Sequence, residues 1–273
     1  MSYKNTILEK IVDAKKQEIS SSKFRESFAD LRVKAQSAAP TRSFLKALDP
    51  EAYQKELPET RIIAEIKKAS PSAGLIRSHF DPVQIAHEYL EAGAAALSVL
   101  TDPPFFQGSL EHLQAVREMS PRPLLRKDFI IDPYQVYQSR VYGADCILAI
   151  VAILEKQQLV DLCELSKEIK MNVLVEIHDE KELEIILNVG ATGRSPLLGI
   201  NNRDLKTLKI DLSTTERLMS QIPTEFTVVA ESGISNRSDV VRMLKAGVKG
   251  LLIGEKLLKA KDIKTKFNEF IGK

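Results

Sequence analysis

The chain repeats one pattern of apolar and polar positions. A segment with apolar residues at helical spacing runs into a glycine, and a short run of aliphatic residues follows almost at once. The phrase appears as EAGAAALSVL around Gly93, VYGADCILAIV around Gly143, NVGATGRSPLLGI around Gly190 and KAGVKGLLIG around Gly247. A glycine just past a helix end takes the left-handed backbone that closes the last turn, and an apolar run without alternation is a strand buried on both faces. The copies recur about every 50 residues. That spacing leaves room for one more strand and helix in each interval, and a second set of apolar runs falls there.

Together the two sets predict strands at 61–66, 96–100, 124–129, 146–151, 173–177, 197–200, 227–230 and 250–253, with helical segments such as PVQIAHEYLEA, LVDLCELSKEI, EKELEIILNV and SDVVRMLKA between them. Strict alternation of strand and helix makes a parallel sheet, and eight units close into a barrel. An open doubly wound sheet would call for a glycine-rich dinucleotide loop after the first strand, and none is present. The predicted fold class is therefore α/β, a single (β/α)8 TIM barrel over 61–273. Residues 1–60, with a charged helical start and the phrase RSFLKAL, form an N-terminal helical extension packed on the barrel as part of one structural domain.

Composition narrows the functional classes. The 273 residues exceed the usual domain size but suit a barrel of about 250 residues. With 39 basic and 37 acidic residues spread along the chain, no broad positive field invites nucleic acid or an anionic membrane. The opening MSYKNTILEKIVDAKKQEI is charged throughout, so neither a secretory leader nor a membrane span is expected. Cys146 and Cys163 lie in apolar runs without metal-ligand spacing and are read as buried free thiols of a reducing cytoplasm. His79, His87, His112 and His178 also lack metal-ligand spacing, so no metal site is expected and no role is assigned to them.

In a barrel of this kind the C-terminal strand ends face the active site and the other rim serves stability. The first strand ends AEIKKASPSAG, placing Glu65 and Lys67 on one side with Ser70 beyond. The third ends LLRKDFIID, offering Lys127 and Phe129 at the same spacing around Asp128. The fifth contributes Glu176, the sixth Asn201 and Arg203, and the seventh Glu231. Lysines and carboxylates converging on one partly desolvated mouth are where acid and base strengths can be tuned. After the last two strands, Ser232, Gly233, Gly254 and Glu255 offer backbone N–H groups for an anion such as phosphate. In TDPPFFQGS, Phe105 and Phe106 sit in a loop at the same face, where with Phe129 they can clamp an aromatic ring.

Taken in order, EIKKASPSAG, FQGS, LRKDFIID, VEIHD, GINNRDL, AESGI and LIGEKLL resemble the motif series of the indole-3-glycerol-phosphate synthase family, from about residue 7 to 260. The resemblance implies ring closure, decarboxylation and dehydration of 1-(2-carboxyphenylamino)-1-deoxyribulose 5-phosphate, without a cofactor. By position Lys127 is similar to the family's general acid. Glu65 and Glu176 resemble its catalytic carboxylates, and Lys67 resembles a substrate-contacting lysine that can serve dehydration. Ser70, Asn201, Arg203 and Glu231 look like substrate-binding groups, Phe106 and Phe129 like aromatic walls, and Ser232, Gly233, Gly254 and Glu255 like the phosphate site. The implied partner is a small phosphorylated aromatic substrate, acted on by a monomer or weak dimer. One departure is the lead into the sixth strand, where Gly193 and Pro196 lengthen the segment on the stability rim. Two other readings are a different phosphate barrel, such as phosphoribosylanthranilate isomerase or the tryptophan synthase α chain, and a silent barrel kept as a scaffold.

Overall fold

Eight parallel strands close on themselves: β1 (Ile62–Ile66), β2 (Ala96–Leu100), β3 (Leu124–Lys127), β4 (Cys146–Ile150), β5 (Asn172–Ile177), β6 (Leu197–Asn201), β7 (Thr227–Glu231) and β8 (Gly250–Ile253). Each pairs with its neighbours in the chain, and β1 pairs with β8 to complete the barrel. This computed structural model describes residues 6–49, 51–52, 57–189 and 197–273. Gly190, Gly193 and Pro196 fall outside the described residues.

The continuous apolar runs are explained by two cores. One strand face, including Ile62, Ala64, Leu97 and Val175, packs outward against the surrounding helices. The other, including Ile63, Ala96, Leu125, Leu148, Leu174 and Val229, fills the barrel interior. Helix boundaries follow local chemistry. The helix α4 (Pro82–Ala92) starts at Asp81, whose side chain accepts the N–H groups of Val83 and Gln84, and ends at Gly93 with φ +98°. The helix α11 (Arg237–Ala246) ends likewise at Gly247, with φ +102°.

Two strands stop earlier than the apolar pattern suggests. β3 ends at Lys127 because the Asp128 carboxylate accepts the N–H of Phe129 at 2.8 Å and turns the chain. β4 ends at Ile150, and Val151–Ile153 form a 3-10 turn. The stretch after β1 is not an open loop. Ala69–Ser70 pairs antiparallel with Gly74–Leu75, folding it into a small hairpin over the mouth.

The N-terminal helices are α1 (Ile7–Arg25), α2 (Phe28–Ser37) and α3 (Phe44–Leu48). Leu8, Ile11 and Val12 of α1 and Phe44 and Leu48 of α3 join the interior core. The start of α3 is tied to the first residue of β5, whose Asn172 side chain accepts the N–H of Phe44 at 3.0 Å. Ile19, Leu31 and Ala35 pack on Tyr134 and Tyr137 of helix α7 (Pro133–Val141).

Candidate active site

All the residues nominated by the strand-end rule line one cavity of about 500 Å³. Glu65 comes from β1, with Lys67 and Ser70 just beyond. Lys127 ends β3 and Phe129 follows it; Glu176 lies in β5, Asn201 ends β6 and Arg203 lies two residues beyond. Glu231, Ser232 and Gly233 follow from β7, Gly254 and Glu255 from β8. Phe106 belongs to a short helix, α5 (Pro103–Phe106), rather than a loop, because Asp102 accepts the N–H of Phe105 at 2.9 Å. Its ring centroid lies 6.1 Å from that of Phe129, while Phe105 does not line the cavity. Ile7, Leu8 and Ile11 of α1 complete an apolar wall that strand patterning did not reveal.

The cavity is organised around one ammonium. Lys127 Nζ lies 2.7 Å from Glu176 Oε2 and 2.8 Å from Glu231 Oε2. Burial opposes its charge, but Glu176, Glu231 and Glu65 outweigh burial and hold it above the ordinary lysine range. Burial likewise opposes the Glu176 anion, yet Lys127 and His178 keep this carboxyl below its ordinary range. Burial pushes Glu231 upward, Lys127 opposing and Glu176 reinforcing the shift. Two carboxylates sharing one cation are thus driven apart in acidity, as an acid–base pair requires. Across the mouth, Lys67 Nζ donates to Glu65 Oε2.

Glycines make room for these carboxylates. A Cβ on Gly199 would stand 2.2 Å from Glu231 Oε1, and one on Gly254 would stand 2.6 Å from Glu65 Oε2. Gly199→Ala is therefore expected to displace Glu231 and lower turnover at least tenfold, with an overpacking penalty of about 1–3 kcal/mol. Steady-state kinetics beside thermal melts check this; an alanine variant with parental turnover would show that Glu231 has free space elsewhere.

The end of the cavity where the sequence predicts an anion has its own geometry. Ser232 and Gly233 both take left-handed backbone, with φ of +63° and +86°. Gly254 precedes the helix α12 (Glu255–Leu258) without any side-chain cap, leaving that end to another acceptor. The Glu255 carboxylate accepts from Lys259 at 2.6 Å, so only its backbone is available to an anion.

Two charged neighbours of the site escaped sequence reading. His178, to which no role was assigned, lies against the Glu176 carboxylate, with Nε2 3.2 Å from Oε1. Its placement two residues beyond Glu176 was the available signal. The second is Lys15 of α1, whose ammonium sits fully buried at 2.8 Å from Asp128 and 3.0 Å from Asp102. A lysine in a charged helix gives no such signal.

Fold and cavity define the class: a (β/α)8-barrel enzyme whose mouth gathers lysines and carboxylates in one cavity. The chain matches the family model described as "Indole-3-glycerol phosphate synthase" over residues 8–270. An indole-3-glycerol phosphate synthase of Polaromonas naphthalenivorans is 47% identical over 97% of this chain and 98% of its own. One of Neisseria meningitidis serogroup B is 48% identical over 94% and 96%, respectively. Among solved structures, 3-hexulose-6-phosphate synthase from Salmonella typhimurium superposes with a TM-score of 0.62 at 11% identity, covering 78% of this chain and 97% of that one. That likeness concerns the fold alone. The chain belongs to the indole-3-glycerol phosphate synthase family, carboxy-lyases of tryptophan biosynthesis that act on a phosphorylated substrate.

Proposed function

We propose that the family reaction runs in this cavity with Lys127 as the acid that meets the substrate ketone. The observation that carries the reading is the single Lys127 ammonium held between Glu176 and Glu231 with Glu65 and Lys67 opposite. Attack of the carboxylate-bearing ring carbon on the ketone forms the new carbon–carbon bond, and Lys127 gives a proton to the developing alkoxide. Carbon dioxide then leaves, and its electron pair restores the aromatic ring. Glu65 faces the positive charge that builds on the aniline nitrogen. In dehydration the new hydroxyl departs as water with a proton from a lysine, and Glu176 takes a proton from the new ring. Glu231, whose carboxylate borders the cavity beside Lys127, contributes to substrate binding.

Phe106 and Phe129 flank the aromatic ring, and Ser70, Asn201 and Arg203 orient the rest. Arg203 can grip a carboxylate or phosphate bidentately. Ser232, Gly233, Gly254 and Glu255 hold the phosphate through backbone N–H groups. Residues 1–60 and 61–273 serve as one unit, in a cytoplasmic enzyme that is a monomer or weak dimer, uses no cofactor and takes no nucleic-acid or membrane partner.

Purified protein supplied with 1-(2-carboxyphenylamino)-1-deoxyribulose 5-phosphate should produce indole fluorescence in proportion to enzyme. No signal at any enzyme concentration overturns the reading, and turnover of phosphoribosylanthranilate instead would favour the isomerase.

A further inference from the structure

His178 stands behind the acid–base cluster rather than in it. It follows β5, so its side chain leaves the strand on the same side as Glu176. Nε2 lies 3.2 Å from Glu176 Oε1, and Nδ1 lies 2.9 Å from Glu182 Oε2. Glu182, in the first turn of helix α9 (Glu180–Val189), also accepts the backbone N–H of His178 at 2.8 Å. One carboxylate thus holds the imidazole by a hydrogen bond at Nδ1 and a second lies within ion-pair distance of Nε2, with the histidine side chain only 10% exposed.

The far side of this imidazole faces a different space from the substrate. His178, Asp179 and Glu182 line a second cavity of about 400 Å³, and His178 does not line the first. Glu176 is met by Lys127 from β3 on Oε2, and by Asn201 from β6 and His178 on Oε1. Glu231 of β7 shares the Lys127 ammonium. Of the groups facing Glu176, Lys127 is committed to the substrate oxygen in the proposed reaction. His178 is therefore the cation that stays with Glu176 while Lys127 gives up its proton.

We propose that His178, braced by Glu182, is a positioning residue that keeps Glu176 anionic and aimed at the substrate throughout the cycle. Burial disfavours the imidazolium, but the facing carboxylates of Glu176 and Glu182 outweigh it and raise the histidine to about 10. The charge is thus present across the neutral range. The inference rests on Glu176 being the proton acceptor.

Three variants separate the possibilities. His178→Asn removes the cation but keeps a hydrogen-bonding side chain, and should lower kcat ten- to a hundredfold. Its acid limb in kcat/KM against pH should move upward by about one unit or more, because loss of a cation at this distance raises a carboxyl. Glu182→Gln leaves His178 in place but weakens its hold on the proton. It should retain near-parental kcat at pH 6 and lose activity as pH rises toward 9, where the parent does not. A His178→Asn profile superimposable on the parent's, or a Glu182→Gln variant without the alkaline loss, overturns the proposal. Glu176→Gln distinguishes its failure from that of its premise. If that variant turns over normally, the assignment of Glu176 is wrong; if it is inactive while His178→Asn shows no shifted limb, His178 alone is wrong.

Discussion

Lys127→Met is expected to lower kcat by roughly 10³-fold or more, with a much smaller change in KM, because a positioned acid contributes about 10²–10⁴ to rate. Here the same ammonium also separates the acidities of Glu176 and Glu231, so its loss removes both the acid and the tuning of the base. Stability should respond with a defined sign. In the parent, Glu176 is held below its ordinary value of 4.5. It contributes stability present above that value and lost only as pH falls through the depressed one. Without Lys127 the buried Glu231, already raised by burial, shifts further upward, and a carboxyl raised on folding contributes stability at low pH that is lost as pH rises. The melting temperature of the variant should therefore fall progressively behind the parent's between about pH 5 and 8. Single-turnover kinetics and melts over that range check both parts. Parental kcat would assign the acid elsewhere, and a pH-independent stability gap would mean that water already screens the pair.

The strands and their mouth were legible because two simple rules act together. Apolar runs on both faces mark barrel strands, and polar residues at their C-terminal ends have nowhere to go but the mouth. That reasoning led to Glu65, Lys127, Glu176, Asn201 and Glu231 without any knowledge of partners. It does not reach contacts between distant segments. Alternation says that Asp128 points away from Lys127, but not that it meets Lys15 of the N-terminal helix. Leu8 and Ile11 read as the apolar stripe of an amphipathic helix, and only the packing of α1 against the barrel makes them a cavity wall. Gly199 gave no sign in GIN that its missing side chain is space for Glu231. His178 was closest to being legible. Its spacing from Glu176 and from Glu182 places all three side by side, but a histidine after a strand is common enough that spacing alone assigns nothing.

The largest loss of stability is expected from Lys15→Met. Its ammonium meets Asp128, Asp102 and Glu18 at 2.8, 3.0 and 2.7 Å, and both aspartates are essentially unexposed. Asp128 keeps other partners, Arg126 at 2.9 Å and the Thr101 hydroxyl at 2.6 Å. Asp102 keeps the N–H of Phe105, and burial already raises its carboxyl against the opposing pull of Lys15. Removing one partner of a buried ionic cluster costs about 3–5 kcal/mol, since the remaining charge stays desolvated. The damage should also reach the reaction. Asp102 starts the turn that carries Phe106, Asp128 follows Lys127, and the helix that carries Lys15 supplies Leu8 and Ile11 to the cavity wall. KM should rise with the loss of stability. Adding Asp102→Asn to Lys15→Met removes the stranded anion and should return part of the stability without returning KM, because the helix still lacks its bolt. Chemical denaturation of the parent, the single variant and the pair checks this sequence of effects. A single variant within about 0.5 kcal/mol of the parent would mean that the aspartates find protons or water without strain, and that apolar packing alone holds the helix at the mouth.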